Sequence, residues 1–205
     1  MVKQKIPMAA DDTYGLVICG GKSSRMGTDK SQVSYHQKEQ RYHVYEMLQP
    51  LVEKVFLCCN NMQATSIQAP YLHLIDHECC NNIGPMGALL SAYKAFPGKN
   101  FVVVGCDYPF LSQTTLNIFV SNIVNKKQPV AFYNETVDFY EPLLAFYSAL
   151  NIDGIKKIFA DGNYSLQYFL RQQQAHRFTD FEPVEIKSVD TIEEMEAAQQ
   201  QLIQQ

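Results

Sequence analysis

The sequence predicts a doubly wound α/β fold, a mostly parallel twisted sheet with helices on both faces. Three observations predict it. The apolar runs Leu16-Val17-Ile18-Cys19, Lys54–Cys59 and Asn100–Gly105 are continuous rather than alternating, which marks strands buried on both sides. Segments with apolar residues at helical spacing, Gln40–Val52 and Pro85–Phe96, lie between them. This alternation runs through residue 125 without an internal repeat or a linker, and 205 residues suit one sizeable domain. A single Rossmann-like three-layer domain over residues 1–205 follows.

Leu16–Cys19 is the first strand and breaks at Gly20-Gly21; Gln32–His36 is a candidate short strand. The helix over Gln40–Val52 has Pro50 near its end, and Lys54–Cys59 is a strand stopped by Asn60-Asn61. Tyr71–Ile75 is a third strand ending at Asp76, before an irregular stretch whose Gly84-Pro85 marks a turn. Pro85–Phe96 places Ala88, Leu89, Ala92 and Phe96 on one helical face, and Asn100–Gly105 is the strongest strand. Ser112 N-caps a helix through about Val124. Pro129–Tyr133 and Leu143–Tyr147 are strands, and Ile152–Ala160 and Ser165–Gln172 are helices. Val184–Lys187 reads as a late strand, and Asp190 with Glu193 has capping-box spacing for a final helix.

A net charge of −4 without any Lys/Arg run argues against nucleic acid as a partner. No apolar span reaches membrane length and the N-terminus has no apolar signal region, so no membrane association and a cytoplasmic location are expected. Six cysteines at 19, 58, 59, 79, 80 and 106 form no C-x-x-C and are expected as free thiols.

Against that acidic background the positive charge at residues 22–30 stands out. GGKSSRMGTDK follows a buried strand, at the strand end where open α/β sheets take ligands. Glycines, hydroxyls and cations there supply backbone N–H groups, O–H donors and charge suited to a nucleoside triphosphate. The spacing is neither G-x-G-x-x-G nor a Walker A motif. Asp107 follows the strongest strand and can hold Mg²⁺, which takes one or two protein carboxylates plus phosphate oxygens. Asp76 and Asn60 end neighbouring strands and either contact a ligand or cap a turn. The five histidines form no ligand set, and no nucleophile–base arrangement can be built.

In order along the chain, ICGGKSSRMGTDK, Asn60, Asp76, GPMG, CDYPFL, EPLLAFY, SLQYFL and KSVDTIEEM resemble the molybdenum cofactor guanylyltransferase family, within the nucleotide-diphospho-sugar transferase type of fold. The resemblance implies transfer of GMP from GTP to the phosphate of molybdopterin, with Mg²⁺ as cofactor and transient contacts with other molybdenum-cofactor proteins. By it Ile18, Cys19, Gly20, Gly21, Lys30, Asn60, Asp76 and Asp107 bind nucleotide. Arg25, Lys30 and Asp107 are catalytic, with Asp107 also on the metal, and Gly84, Pro85, Gly87, Ser188 and Asp190 serve the acceptor. The nucleotide half is expected at about 12–125 and the acceptor half at about 126–205. Two departures stand out: Cys19 replaces the family's usual Ala, and Ser188-Val-Asp190-Thr stands where it tends to have N-x-N-T. Molybdopterin cytidylyltransferases and sugar- or polyol-phosphate nucleotidyltransferases remain rivals. Gly20-Gly21, where cytidylyl enzymes carry Ala-Gly, leans toward guanine, and the short chain away from the longer sugar-phosphate enzymes. A non-catalytic nucleotide binder would be expected to lose Asp107, Arg25 or Lys30, and all three are present.

Overall fold

A computed structural model describes residues 12–19, 29–80 and 83–203, except that the side chain of Cys79 is left aside. Its strands are β1 (Thr13–Ile18), β2 (Lys54–Cys59), β3 (His73–Ile75), β4 (Asn100–Gly105), β5 (Val130–Asn134), β6 (Phe139–Tyr147) and β7 (His176–Phe178). Among the described residues they form one sheet in the order β3-β2-β1-β4-β6-β5-β7. Every pairing is parallel except those of β6, which runs antiparallel to β4 and β5. The helices are α1 (Gln40–Leu48), α2 (Asn61–Ala64), α3 (Pro85–Ala95), α4 (Gln113–Ser121), α5 (Ile152–Ala160), α6 (Leu166–Gln172) and α7 (Ile192–Ile203).

The continuous apolar strands behave as their composition requires. Leu16 and Val17 are neighbours pointing to opposite faces, and both are 0% exposed, so β1 is covered on each side. On one face α1 and α4 pack Val44, Leu48, Leu116 and Phe119 against Val17, Leu57, Val104 and Phe146. On the other, α3, α5 and α6 pack Met86, Leu89, Ile155 and Phe169 against Leu16, Phe56, Phe101 and Tyr147. A smaller cluster of Val33, Tyr35, Val189 and Ala198 fastens α7 to the segment before α1. Among the described residues no helix is long and apolar enough to cross a membrane. Cys19, Cys58, Cys59 and Cys106 are free thiols, and all four are buried, as is Cys80.

Three expectations are corrected. Gln32–His36 is not a strand: Asp29 accepts hydrogen bonds from the Ser31 N–H and hydroxyl, winding Lys30–Gln32 into a 3-10 turn, and only an isolated Ser34–Glu39 bridge follows. Val184–Lys187 is not a strand either. Pro183 opens a 3-10 turn over Pro183–Ile186, and the Glu185 carboxylate accepts from the N–H groups of Glu182 and Ser112 and from the Thr115 hydroxyl. The last strand is β7, which adds in parallel to β5. The final helix is capped one residue later than Asp190–Glu193 spacing suggested. Thr191 Oγ1 accepts from the Glu194 N–H while the Glu194 carboxylate accepts from the Thr191 N–H.

Candidate active site

The chain passes from β1 to β2 and β3 on one side, then crosses through α3 to β4 on the other. The carboxyl ends of β1 and β4 therefore flank a topological switch point, where an open sheet leaves a crevice for ligands. Their last link is the Cys106 N–H donating to the Ile18 carbonyl at 3.2 Å, with Cys19 and Cys106 Sγ atoms 4.0 Å apart. Ile18 and Cys19 are buried at this strand end. Gly20, Gly21 and Arg25 lie outside the described residues.

Asp107 stands just past β4. Its Oδ1 is buried and has no hydrogen-bond partner among the described residues, a polar atom that needs a donor or a cation. Burial pushes its carboxyl up to about 6, with Asp190 adding to the rise and Lys30 opposing it. Gly105 makes the room: a Cβ there would stand 2.2 Å from Asp107 Oδ1 and 3.2 Å from Leu143 Cβ. The backbone of Asp107 is fixed from the C-terminal segment, where the Val189 N–H donates to its carbonyl at 2.9 Å.

Lys30 reaches the same place from the end of the Gly-rich motif. Its Nζ donates to Asp190 Oδ1 at 2.5 Å and to the Val189 carbonyl at 3.2 Å. Ser188 Oγ donates to Asp190 Oδ2 at 3.2 Å. Lys30, Asp107, Ser188 and Asp190 thus converge, although 160 residues separate Lys30 from Asp190.

On the other flank of β1, Asp76 follows β3 and its N–H donates to the Cys59 carbonyl at 3.2 Å. Its Oδ1 is also buried without a partner among the described residues, and burial raises its carboxyl to about 6. Asn60 caps α2, accepting from the Gln63 N–H at 2.9 Å, so its side-chain oxygen has a structural engagement. Gly84 precedes Pro85 at φ 71°, a left-handed conformation that favours glycine, and starts α3. Gly87 lets the turn at 78–80 close on α3, since a Cβ would meet the Cys80 carbonyl oxygen at 2.3 Å. The His77 N–H donates to Ser91 Oγ at 2.8 Å, tying the end of β3 to that helix.

Two supports escaped sequence reasoning. Gln63 Nε2 donates to the Cys19 carbonyl at 3.1 Å and to Asp29 Oδ2 at 2.9 Å, joining the end of β1 to the residue that turns the chain into Lys30. The Asn60-x-x-Gln63 capping-box spacing was the signal for it. Glu141 on β6 accepts from the buried Tyr108 hydroxyl at 2.9 Å, and burial, with the Asp107 charge, raises its carboxyl. A glutamate inside the apolar run of β6 was the available hint.

Among the described residues no three His, Cys, Asp or Glu side chains converge as a metal cage. The orphaned oxygen of Asp107 nevertheless fits a divalent cation that draws its remaining ligands from phosphate and water.

The family described as MobA-like NTP transferase domain matches residues 15–177. A Synechocystis protein named molybdenum cofactor biosynthesis bifunctional protein is 29% identical over 147 residues, 71% of this chain, and the match spans 42% of that protein's length. A Methanocaldococcus jannaschii protein named "Probable molybdenum cofactor guanylyltransferase" is 26% identical over 195 residues, covering 88% of this chain and 95% of that one. In fold, the chain is similar to the crystal structure of molybdopterin-guanine dinucleotide biosynthesis protein A from Archaeoglobus fulgidus. That likeness has a TM-score of 0.74 at 19% identity and covers 94% of this chain and all of the other.

Proposed function

We propose, from the premise that this chain belongs to the MobA-like NTP transferase domain family, that it transfers GMP from GTP to the phosphate of molybdopterin, releasing pyrophosphate. The observation that carries the reading is Asp107, a carboxylate with a buried, unpaired oxygen at the β1/β4 switch point beside Lys30. The relatives named above support the choice of substrates. Mg²⁺ is the proposed cation, with Asp107 holding it; when bound it neutralises phosphate charge and orients the triphosphate. The cytoplasm is the proposed location, and transient contact with other molybdenum-cofactor proteins the proposed partnership.

The reaction asks little covalent chemistry of the chain. A phosphate monoester has its second pKa near 6, so the acceptor oxygen is already ionised at neutral pH and needs no general base. It attacks the α-phosphorus, a new P–O bond forms, and the bond to the β-phosphate oxygen breaks as pyrophosphate leaves. The chain positions and neutralises. Lys30 and Arg25 serve the triphosphate and the leaving group, and the N–H groups around Gly20-Gly21 serve its oxygens. Residues from about 12 to 125 form the nucleotide half and those from about 126 to 205 the acceptor half, with Gly84, Pro85 and Gly87 of the first half also serving the acceptor. Asp190 comes from the acceptor half yet meets Lys30, and Ser188 donates to the same carboxylate.

Asp76 is assigned the base. Guanine presents two adjacent donors, at N1 and N2, and a carboxylate accepts both, whereas the pairing edges of adenine and cytosine present a different pattern. Asp76→Ala should lower the preference for GTP over CTP and ATP more than it slows the best reaction, because a mispaired polar site discriminates strongly. Pyrophosphate release with each nucleotide, Mg²⁺ and saturating molybdopterin tests this. Equal rates from GTP and CTP in the wild-type protein would replace the guanylyl assignment with a cytidylyl one.

A further inference from the structure

Asp190 poses a problem that the proposed reaction alone does not solve. It sets a negative charge at a crevice proposed to receive two anionic substrates. Its surroundings explain the charge. The Lys30 ammonium donates to Asp190 Oδ1 at 2.5 Å, and the same ammonium donates to the Val189 carbonyl at 3.2 Å. Val189 is buried, its N–H holds the Asp107 carbonyl at 2.9 Å, and it packs with Val33, Tyr35 and Ala198. The backbone beside Asp190 is therefore fixed at the crevice, while the Asp190 carboxylate is half exposed and Lys30 is mostly covered. Lysine is a point charge with rotatable donors, so a carboxylate oxygen and a phosphate oxygen are exchangeable partners for it. Exposed ion pairs of this kind are weak, and a triphosphate brings far more negative charge.

We propose that Asp190 acts as an internal substitute for phosphate on Lys30, holding the lysine at the crevice and yielding it to the incoming triphosphate. The exchange makes nucleotide binding the event that parts Lys30 from Asp190. This inference rests on the nucleotidyltransfer reading above.

The test is the Kd for GTP with Mg²⁺, measured by titration calorimetry for the wild type, Asp190→Asn, Lys30→Gln and the double variant. A lysine engaged by Asp190 about nine-tenths of the time lowers apparent affinity about tenfold. Asp190→Asn is expected to tighten GTP binding by about threefold to tenfold, and the gain is expected to shrink below about twofold once Lys30 is glutamine. Asp190→Ser serves as a second variant if the asparagine form does not fold. An unchanged or weaker affinity in the Asp190 variants overturns the inference, as does an equal gain with and without Lys30. Normal GTP binding and transfer by the wild-type protein alongside either result overturns the exchange alone. A wild-type protein that does not bind GTP overturns the function reading and this inference with it.

Discussion

Asp107→Asn is expected to remove turnover and, in the same protein, to raise the melting temperature measured without nucleotide at pH 7.5. The two effects have one cause. The Asp107 carboxyl is pushed from the ordinary 3.8 up to about 6, chiefly by burial, and its Oδ1 has no partner to offset the loss of water. The folded protein then holds this proton more tightly than the unfolded chain does. Its contribution to stability is fully present below pH 3.8, falls as pH rises toward about 6, and is a constant penalty above that. A shift of that size corresponds to at most about 3 kcal/mol. Asparagine keeps the shape and removes the charge, so it recovers part of that amount. Turnover moves the other way: losing a ligand to a catalytic cation removes several kcal/mol of transition-state stabilisation, about a hundredfold or more in rate. Calorimetry on both proteins between pH 4 and 7.5 should show the stability gain shrinking as pH falls. An Asp107→Asn protein with near-wild-type rate would take Asp107 out of the site.

Gly105→Ala is expected to lower turnover at least tenfold while leaving a folded, cooperatively melting protein. The added methyl would stand 2.2 Å from Asp107 Oδ1, closer than atoms approach, and 3.2 Å from both Leu143 Cβ and Cδ1. The carboxylate is the mobile partner, so it swings off its position rather than forcing the strands apart. An error of about 1 Å in placing a catalytic group can reduce rate a hundredfold. The expected mark is a higher Mg²⁺ concentration for half-maximal rate, with little change in far-ultraviolet circular dichroism. If Gly105→Ala matched the wild type in both rate and Mg²⁺ dependence, the Asp107 position described above would not be the one used in the reaction.

The fold was legible where burial dictates sequence. β1, β2 and β4 are covered on both faces along their centres, so the central residues are apolar, and the runs announced themselves. Short elements defined by side-chain bonds were not. Gln32–His36 and Val184–Lys187 have strand-like residues, but Asp29 and Glu185 bond local N–H groups and wind the chain into turns. β7 opens with exposed His176 and Arg177 and was hidden by them. Of the site, Asp107 and Lys30 were readable because each closes a strand or a glycine-rich motif. Gln63, Glu141 and the Lys30–Asp190 pairing depend on segments far apart in sequence, and only the folded chain brings them together.

The proposed reaction is transfer of a guanylyl group to an acceptor phosphate. Its most direct measurement uses GTP labelled at the α-phosphorus, with Mg²⁺ and molybdopterin, and follows the label by mass spectrometry. Transfer predicts that the label appears in a dinucleotide joining GMP to molybdopterin through a pyrophosphate bridge, with one pyrophosphate released for each dinucleotide formed. Label recovered only as GTP despite measurable GTP binding, or as GDP or GMP without the dinucleotide, would contradict it.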